Sequence, residues 1–452
     1  MLIALLLAES ALTPFIKLDA PAVVLEHVRV IDGTGAPPRE DATLAIAGGK
    51  IAAEAPPNAQ HIDMTGRTVF PGLVGMHDHL FYPMGGITFG VMPDSFPRLY
   101  LAAGVTTIRT TGAMEPYLDI ETKNAIDAGK APGPKIWVTG PYLEGEGSFV
   151  PQFHVIKDPD DARRTVEFWA DQGATSFKAY NYLTRAELKA AIDAAHRRKL
   201  KVMGHLCSIG FSEAAELGID DLEHGIFVDT EFLAAKKPDV CPDLPTLPEL
   251  AKMKVTDEPI QRLIALLVKR HVAVTSTLPV FYAGTEKGFR AALTRPVLDA
   301  MSPHTSAMVL RGHAARNVAF APTFDAVVKL EMDFEHAFAA AGGLLLAGCD
   351  PTGNGTVLAG YGDWREVELL VDAGFSPLEA LRIASWNGAL FLGEQDRIGS
   401  LAPGKAADLV VVKGDPSKKI SDIENVEIVF KDGVGYDPQK LADSVRGLVG
   451  IR

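Results

Sequence analysis

The sequence predicts an α/β fold: a (β/α)8 TIM barrel carrying a small β-sandwich domain built from both chain ends. Three observations predict it. Eight short apolar runs alternate with helical patterns through the middle of the chain, both ends have a different strand-and-turn texture, and 452 residues suffice for one large barrel with an attached piece. The expected division is 1–68 and 395–452 for the two parts of the sandwich, with 69–394 forming the barrel.

Each element has local grounds. In residues 23–68, Val23-Val24-Leu25 and Val28-Arg29-Val30-Ile31 lead into Asp32-Gly33-Thr34-Gly35, so glycine and aspartate punctuate β-rich runs. The C-terminal part repeats this texture in Leu409-Val410-Val411-Val412 and in the run 426–431 before Asp432-Gly433. Chain ends often lie close together, which favours one domain made from both. The eight central runs are 69–76, 105–109, 136–140, 176–180, 201–205, 221–224, 272–277 and 344–350. Between them, Thr184-Arg185-Ala186-Glu187 and Ser376-Pro377-Leu378-Glu379 are capping boxes, the second with proline at the first helical position and a helix end near Gly393. The helix over 161–172 should stop at Gly173, a natural left-handed terminator. The connections 225–271 and 278–343 are too long to lack structure, so they should contain helices covering the barrel mouth.

Composition excludes several classes. With 47% apolar and 22% charged residues the chain is too apolar and too low in charge density to be disordered. A net charge of −13 argues against a nucleic-acid partner, which would need a basic surface. Three cysteines make no disulfide framework, and Cys207 and Cys349 read as small buried apolar side chains. No interior stretch reaches the roughly 20 apolar residues of a membrane span, so no membrane partner is expected. The apolar run at residues 2–8 resembles the core of a secretory signal but lacks a basic leader; cytoplasmic and periplasmic or secreted locations both stay open.

The chemistry concentrates at the strand ends. His77-Asp78-His79 closes the first run, and residues two apart in a strand face the same side, so the two imidazoles can grip one metal ion. Lys178 stands inside the apolar Ser176-Phe177-Lys178-Ala179-Tyr180, where burial favours a neutral amine able to take up carbon dioxide as a carbamate. His205, His224 and Asp350 close three further runs. Any one of these has an ordinary structural explanation; six together at the rim where barrel enzymes keep their catalytic groups do not. Tyr180 shares a strand face with Lys178 and could hydrogen-bond a tetrahedral intermediate, with core filling as the alternative. His154, in the loop beyond the third run, could approach a carbonyl or a substrate carboxylate. Arg109 reads as either a site residue or a structural one.

With these motifs in place, the chain resembles the amidohydrolase superfamily in its binuclear branch with a carboxylated lysine. Phe70-Pro71-Gly72-Leu73-Val74-Gly75-Met76-His77-Asp78-His79 matches the first-strand motif, Asp221-Leu222-Glu223-His224-Gly225 the sixth, and the segment from Ile398-Gly399-Ser400 to Asp408-Leu409-Val410-Val411 the return into the sandwich. Within the superfamily it is most similar to imidazolonepropionase-like and Xaa-Pro dipeptidase-like members. The resemblance implies two divalent ions, by default zinc. His77, His79 and Asp350 would bind the more buried ion, His205 and His224 the more exposed one, and Lys178 as carbamate would bridge them. It further implies a metal-bridging hydroxide attacking an amide or peptide C–N bond, with Asp350 as general base and then acid. Expected substrates are a dipeptide, an N-acyl amino acid or a cyclic amide; lactones, esters or phosphotriesters would suit the same site. A mononuclear deaminase fits less well, because His205-Leu206-Cys207 lacks the glutamate such enzymes place there. The resemblance also implies a homo-oligomer. One departure is Arg109-Thr110-Thr111-Gly112, where many relatives have an acidic residue after the arginine, so their substrates do not transfer directly.

Overall fold

A computed structural model describes residues 10–242, 246–314 and 321–451; the apolar run at 2–8 lies outside them. The centre of the molecule is an α/β arrangement of parallel strands. One three-stranded sheet runs Lys135–Trp137, Val105–Thr110, Leu73–Asp78, and a six-stranded sheet runs Thr139–Leu143, Ser176–Ala179, Lys201–Gly204, Asp221–Glu223, Ala273–Ser276, Leu345–Ala347. Every pairing within both is parallel. The expected run at 136–140 is therefore two strands, split at Val138, where the chain leaves one sheet and enters the other. The split is bridged by the Thr139 amide donating to Thr110 Oγ1 at 3.0 Å. At the opposite edges, the Asp350 amide donates to the His77 carbonyl at 2.9 Å. Among the described residues no strand ladder joins Leu345–Ala347 to Leu73–Asp78.

The helices form where the local signals put them. Pro159–Gln172 starts with the Asp158 carboxylate accepting from the Asp161 amide and ends at Gly173. Arg185–Arg197 carries the Thr184/Glu187 capping box and Pro377–Arg382 the Ser376/Glu379 box. The latter continues through a π-helical turn at Ile383–Asn387 to Gly393. The two long connections do hold helices: Leu247–Leu250 and Glu258–Arg270 in the first, and Leu278–Tyr282, Glu286–Ala292, Arg295–Ala300, Pro303–Ala314 and Ala321–Ala340 in the second. Among the described residues no helix is long and apolar enough to cross a membrane.

Both chain ends contribute to one nine-stranded sheet. Its middle is Arg67–Pro71, flanked by Leu409–Lys413 antiparallel and Ala22–Val30 parallel. Val28, Leu44, Val69, Leu409, Val411 and Phe430 pack a separate apolar core inside it. The strands of the expected sandwich domain are thus joined in one hydrogen-bonded sheet. The apolar run 69–76 is also broken: Arg67–Pro71 belongs to this sheet and Leu73–Asp78 to the parallel one. Gly72 makes the transfer. Its amide donates to the Asp408 carbonyl and the next amide to the Gly104 carbonyl, each at 2.9 Å, and a Cβ at Gly72 would overlap the Thr106 side chain.

A disulfide joins Cys207 to Cys241. This corrects the reading of Cys207 as a small apolar filler: one bridge and one free thiol, the buried Cys349, account for all three cysteines.

Candidate metal centre

The C-terminal ends of the parallel strands converge on one cavity of about 280 Å³. His77, His79, Lys178, Tyr180, His205, His224 and Asp350 all line it. His77, His79, Lys178, His224 and Asp350 are buried, while His205 and Tyr180 are half-buried. Alternation in the first strand sends His77 and His79 to the same side, their rings 5.2 Å apart and nearly perpendicular. His224 follows the sixth parallel position with φ 69° and Asp350 follows the last with φ 45°. Left-handed backbone at residues with a Cβ costs free energy and concentrates at functional sites. Gly348 allows the last strand to approach: a Cβ there would overlap the backbone of His77.

The donor atoms face one another across gaps longer than an ordinary hydrogen bond, and His224 Nδ1 is 2.7 Å from Thr277 Oγ1. His79 Nε2 lies 3.4 Å from Asp350 Oδ1, His77 Nε2 3.8 Å from Asp350 Oδ2, and His224 Nδ1 3.9 Å from Asp350 Oδ2. The ligand atoms of His77, His79 and Asp350 all lie within 4.8 Å of one another, and so do those of His77, Glu223 and His224. Nitrogen and oxygen ligands around a tetrahedral ion at 2.0–2.1 Å are separated by about 3.4 Å, so the spacing fits a shared divalent cation. His205 approaches through its ring, 4.5 Å from that of His224.

Protonation states suit ligation. Burial pushes the imidazoles of His77 and His224 well below the usual histidine range and that of His205 down to about 3. All three are neutral near pH 7, the form that binds metals. Burial also lowers the Lys178 amine well below the ordinary lysine value. Burial opposes ionisation of Asp350, but contacts with His79, Thr352 and Lys178 outweigh it and hold the carboxyl below its usual range. Thr352 Oγ1 donates to Asp350 Oδ1 at 2.6 Å.

Beneath the histidines lies a second polar group that the sequence reading missed. Glu223 is buried, pairs with the Lys178 amine and approaches His77 Nδ1 at 3.5 Å. Arg109 donates through Nη2 to Asp221 at 2.7 Å and to Glu223 at 3.2 Å, and through Nε to the Met76 carbonyl at 2.8 Å. Thr275 Oγ1 donates to Asp221 at 2.8 Å. Arg109 is thus structural: it pairs with two buried carboxylates and ties the strand bearing His77 to the strand preceding His224. The signal was present in Asp221-Leu222-Glu223, where alternation places both acids on one face of a buried strand.

His154 does not line this cavity. It lies in an adjacent groove, exposed, with Nε2 3.5 Å from Asp161. Cys349 is buried and free, its thiol donating to Asp78 Oδ1 at 3.3 Å.

The pattern of the amidohydrolase family matches residues 68–435. The chain belongs to the amidohydrolase family. It is accordingly a hydrolase of carbon–nitrogen bonds. Among solved structures it is similar to a bottromycin amidohydrolase (23% identity, covering 97% of this chain and 92% of that one, TM-score 0.70). It is also similar to a putative prolidase from Bifidobacterium longum (24%, 94% and 98%, TM-score 0.69). A third likeness is to the ochratoxinase of A. niger (18%, 95% and 100%, TM-score 0.66). At these identities the likeness concerns the fold. No curated protein sequence matches the chain.

Proposed function

We propose that this chain hydrolyses an amide or peptide C–N bond of a small molecule with two divalent ions, zinc by default, at the cavity described above. The observation that carries the proposal is the convergence of His77, His79 and His224, each with a ring nitrogen 3.4–3.9 Å from the Asp350 carboxylate, close enough to share ions. In this reading the strands form the family's (β/α)8 barrel over 69–394, with 1–68 and 395–452 completing a sandwich domain, and the chain self-associates. His77, His79 and Asp350 would hold one ion and His205 and His224 the other, with Lys178 as carbamate completing the set. Glu223 is then the group that holds the Lys178 side chain before carbon dioxide is taken up.

Divalent ions at this position supply a water acidified toward neutral pH and a Lewis acid for the carbonyl. The protein residues do the rest. Asp350, ionised and fixed by Thr352, accepts the proton of the attacking water and delivers it to the leaving nitrogen. Tyr180, on the cavity wall beside His205, donates toward the oxygen of the tetrahedral intermediate. The ring-lined wall excludes bulk water, which strengthens each of these interactions. A dipeptide, an N-acyl amino acid or a cyclic amide fits this chemistry.

Metal analysis and activity on a small amide panel test the reading together. The expected result is two ions per chain, with Lys178→Ala retaining the fold by circular dichroism but losing the second ion. Two ions and full activity in Lys178→Ala would remove the carbamate from the mechanism.

A further inference from the structure

The proposed amide hydrolysis leaves the substrate unnamed, and the cavity wall opposite the ligand set bears on it; the inference below rests on that reading. Among the described residues lining the cavity, the only charged or titratable side chains besides two tyrosines are the ligand set itself: Lys178, Asp350 and four histidines. The remaining wall is chiefly aromatic. Phe81 packs on His79 with ring centres 4.2 Å apart and meets Phe89 at 5.3 Å. Tyr142 stacks on Phe153 at 4.4 Å, and Tyr180 meets both edge-on at 5.0 and 5.4 Å. Phe281 closes the far side, 5.5 Å from His224 and stacked on Phe227 at 3.8 Å. These rings hold one another in place, so the wall is formed before any substrate arrives.

Two basic side chains of the adjacent groove do not line this wall. His154 and Arg164 line the adjacent groove, which is separated from the cavity by Met114, Tyr142 and Phe153, and each pairs with Asp161 within 3.5 Å. A free substrate carboxylate against the rings would lose its water without gaining a counter-charge, which is costly. A flat apolar group would gain offset and edge contacts on several rings.

We propose that the substrate places an uncharged aromatic or bulky apolar group against Phe81, Phe89, Tyr142 and Phe153, and that the preferred amides carry no free carboxylate or ammonium on that side. A simple dipeptide is then a poor substrate, and a capped or N-acylated aromatic amide a good one.

Two measurements test this. With zinc-loaded protein, N-acetyl-phenylalanine amide is compared with glycyl-phenylalanine and with N-acetyl-alanine amide. The capped aromatic compound should exceed the dipeptide at least tenfold in kcat/KM. Tyr142→Ala should lower kcat/KM for the aromatic amide roughly tenfold more than for the alanine amide, the size of one lost aromatic contact. With metal-free protein, calorimetry should show binding of N-acetyl-phenylalanine amide that Phe153→Ala weakens and that glycyl-phenylalanine does not match. Preference for the dipeptide in either measurement, or equal losses for both amides in Tyr142→Ala, overturns the inference. A chain that binds zinc and hydrolyses nothing in the panel, yet still binds the capped aromatic compound, leaves the wall's preference standing and refutes the amide-hydrolase reading instead.

Discussion

Two buried polar clusters sit one above the other at the strand ends, and they are built on opposite principles. In the lower one, Arg109, Asp221, Glu223 and Thr275 are joined by hydrogen bonds of 2.7–3.2 Å. In the upper one, His77, His79, His224 and Asp350 approach only to 3.4–3.9 Å. The lower cluster is held by its own hydrogen bonds, with Arg109 Nη1 left over; in the upper one Nδ1 of His77 and of His79 find no partner and the carboxylate stands off from the rings. The difference separates support from chemistry: a closely bonded network fixes geometry, and a loosely paired one is left to act.

The sharpest way to break that contrast is at the upper cluster. Asp350→Asn preserves shape but removes the proton acceptor, so kcat should fall by about 10²–10⁴-fold with little change in KM, read by steady-state kinetics on any amide the chain cleaves. Unchanged turnover would put the proton transfer elsewhere. In the lower cluster the effect should be on stability. Arg109→Leu leaves two carboxylates buried without their guanidinium and should destabilise the chain by about 3–5 kcal/mol in chemical denaturation; a loss below 1 kcal/mol, about the worth of a surface pair, would show that the pairing is not what holds the base.

A smaller effect is expected from the disulfide. Cys241 lies in the connection after the sixth parallel position and Cys207 two residues beyond His205, so the bond pins that connection beside the upper cluster. Cys241→Ser should cost about 2–4 kcal/mol, the usual range for such a bridge, and the wild-type chain should lose the same amount on reduction. Equal denaturation midpoints with and without reductant would show that the bridge does not form in solution.

The smallest effect comes from Glu144, a buried carboxyl outside both clusters that accepts from the Gly145 and Tyr182 amides at 2.9 and 2.8 Å. Burial raises it to about 7. Its folded value lies above its unfolded one, so its contribution is complete below about pH 4.5 and is lost as pH rises through 7. The melting-temperature advantage of the wild type over Glu144→Gln should shrink across that interval; a constant difference would mean that the carboxyl is ionised throughout.

Much of the site was legible because its groups break a local rule. A lysine in an apolar strand, or a histidine or aspartate directly after one, stands out against its neighbours, and Lys178, His205, His224 and Asp350 all do so. Glu223 was missed because its neighbour His224 already explained the motif; only the packed structure shows the acid facing Lys178 and Arg109. The transfer at Gly72 was invisible for a different reason. Residues 69–76 are uniformly apolar, and a run buried on both sides looks the same whichever sheet it joins. The Cys207–Cys241 bridge depends on a contact between segments 34 residues apart, and nothing in either segment announces it. The aromatic wall is likewise assembled from rings of separate elements, and apart from Tyr180 none stood out in its own neighbourhood.

The central strand of the nine-stranded sheet has a consequence for how the protein is made. Arg67–Pro71 leads directly into the strand that carries His77, yet one of its two neighbours, Leu409–Lys413, is translated more than 300 residues later. At about 5–20 residues per second the ribosome takes tens of seconds to produce the stretch between them. The first two histidines therefore wait, with one flank of their supporting strand unpaired, until residues 409–413 have been made. A polypeptide cut short before residue 409 lacks the partner that anchors the strand leading to His77 and His79.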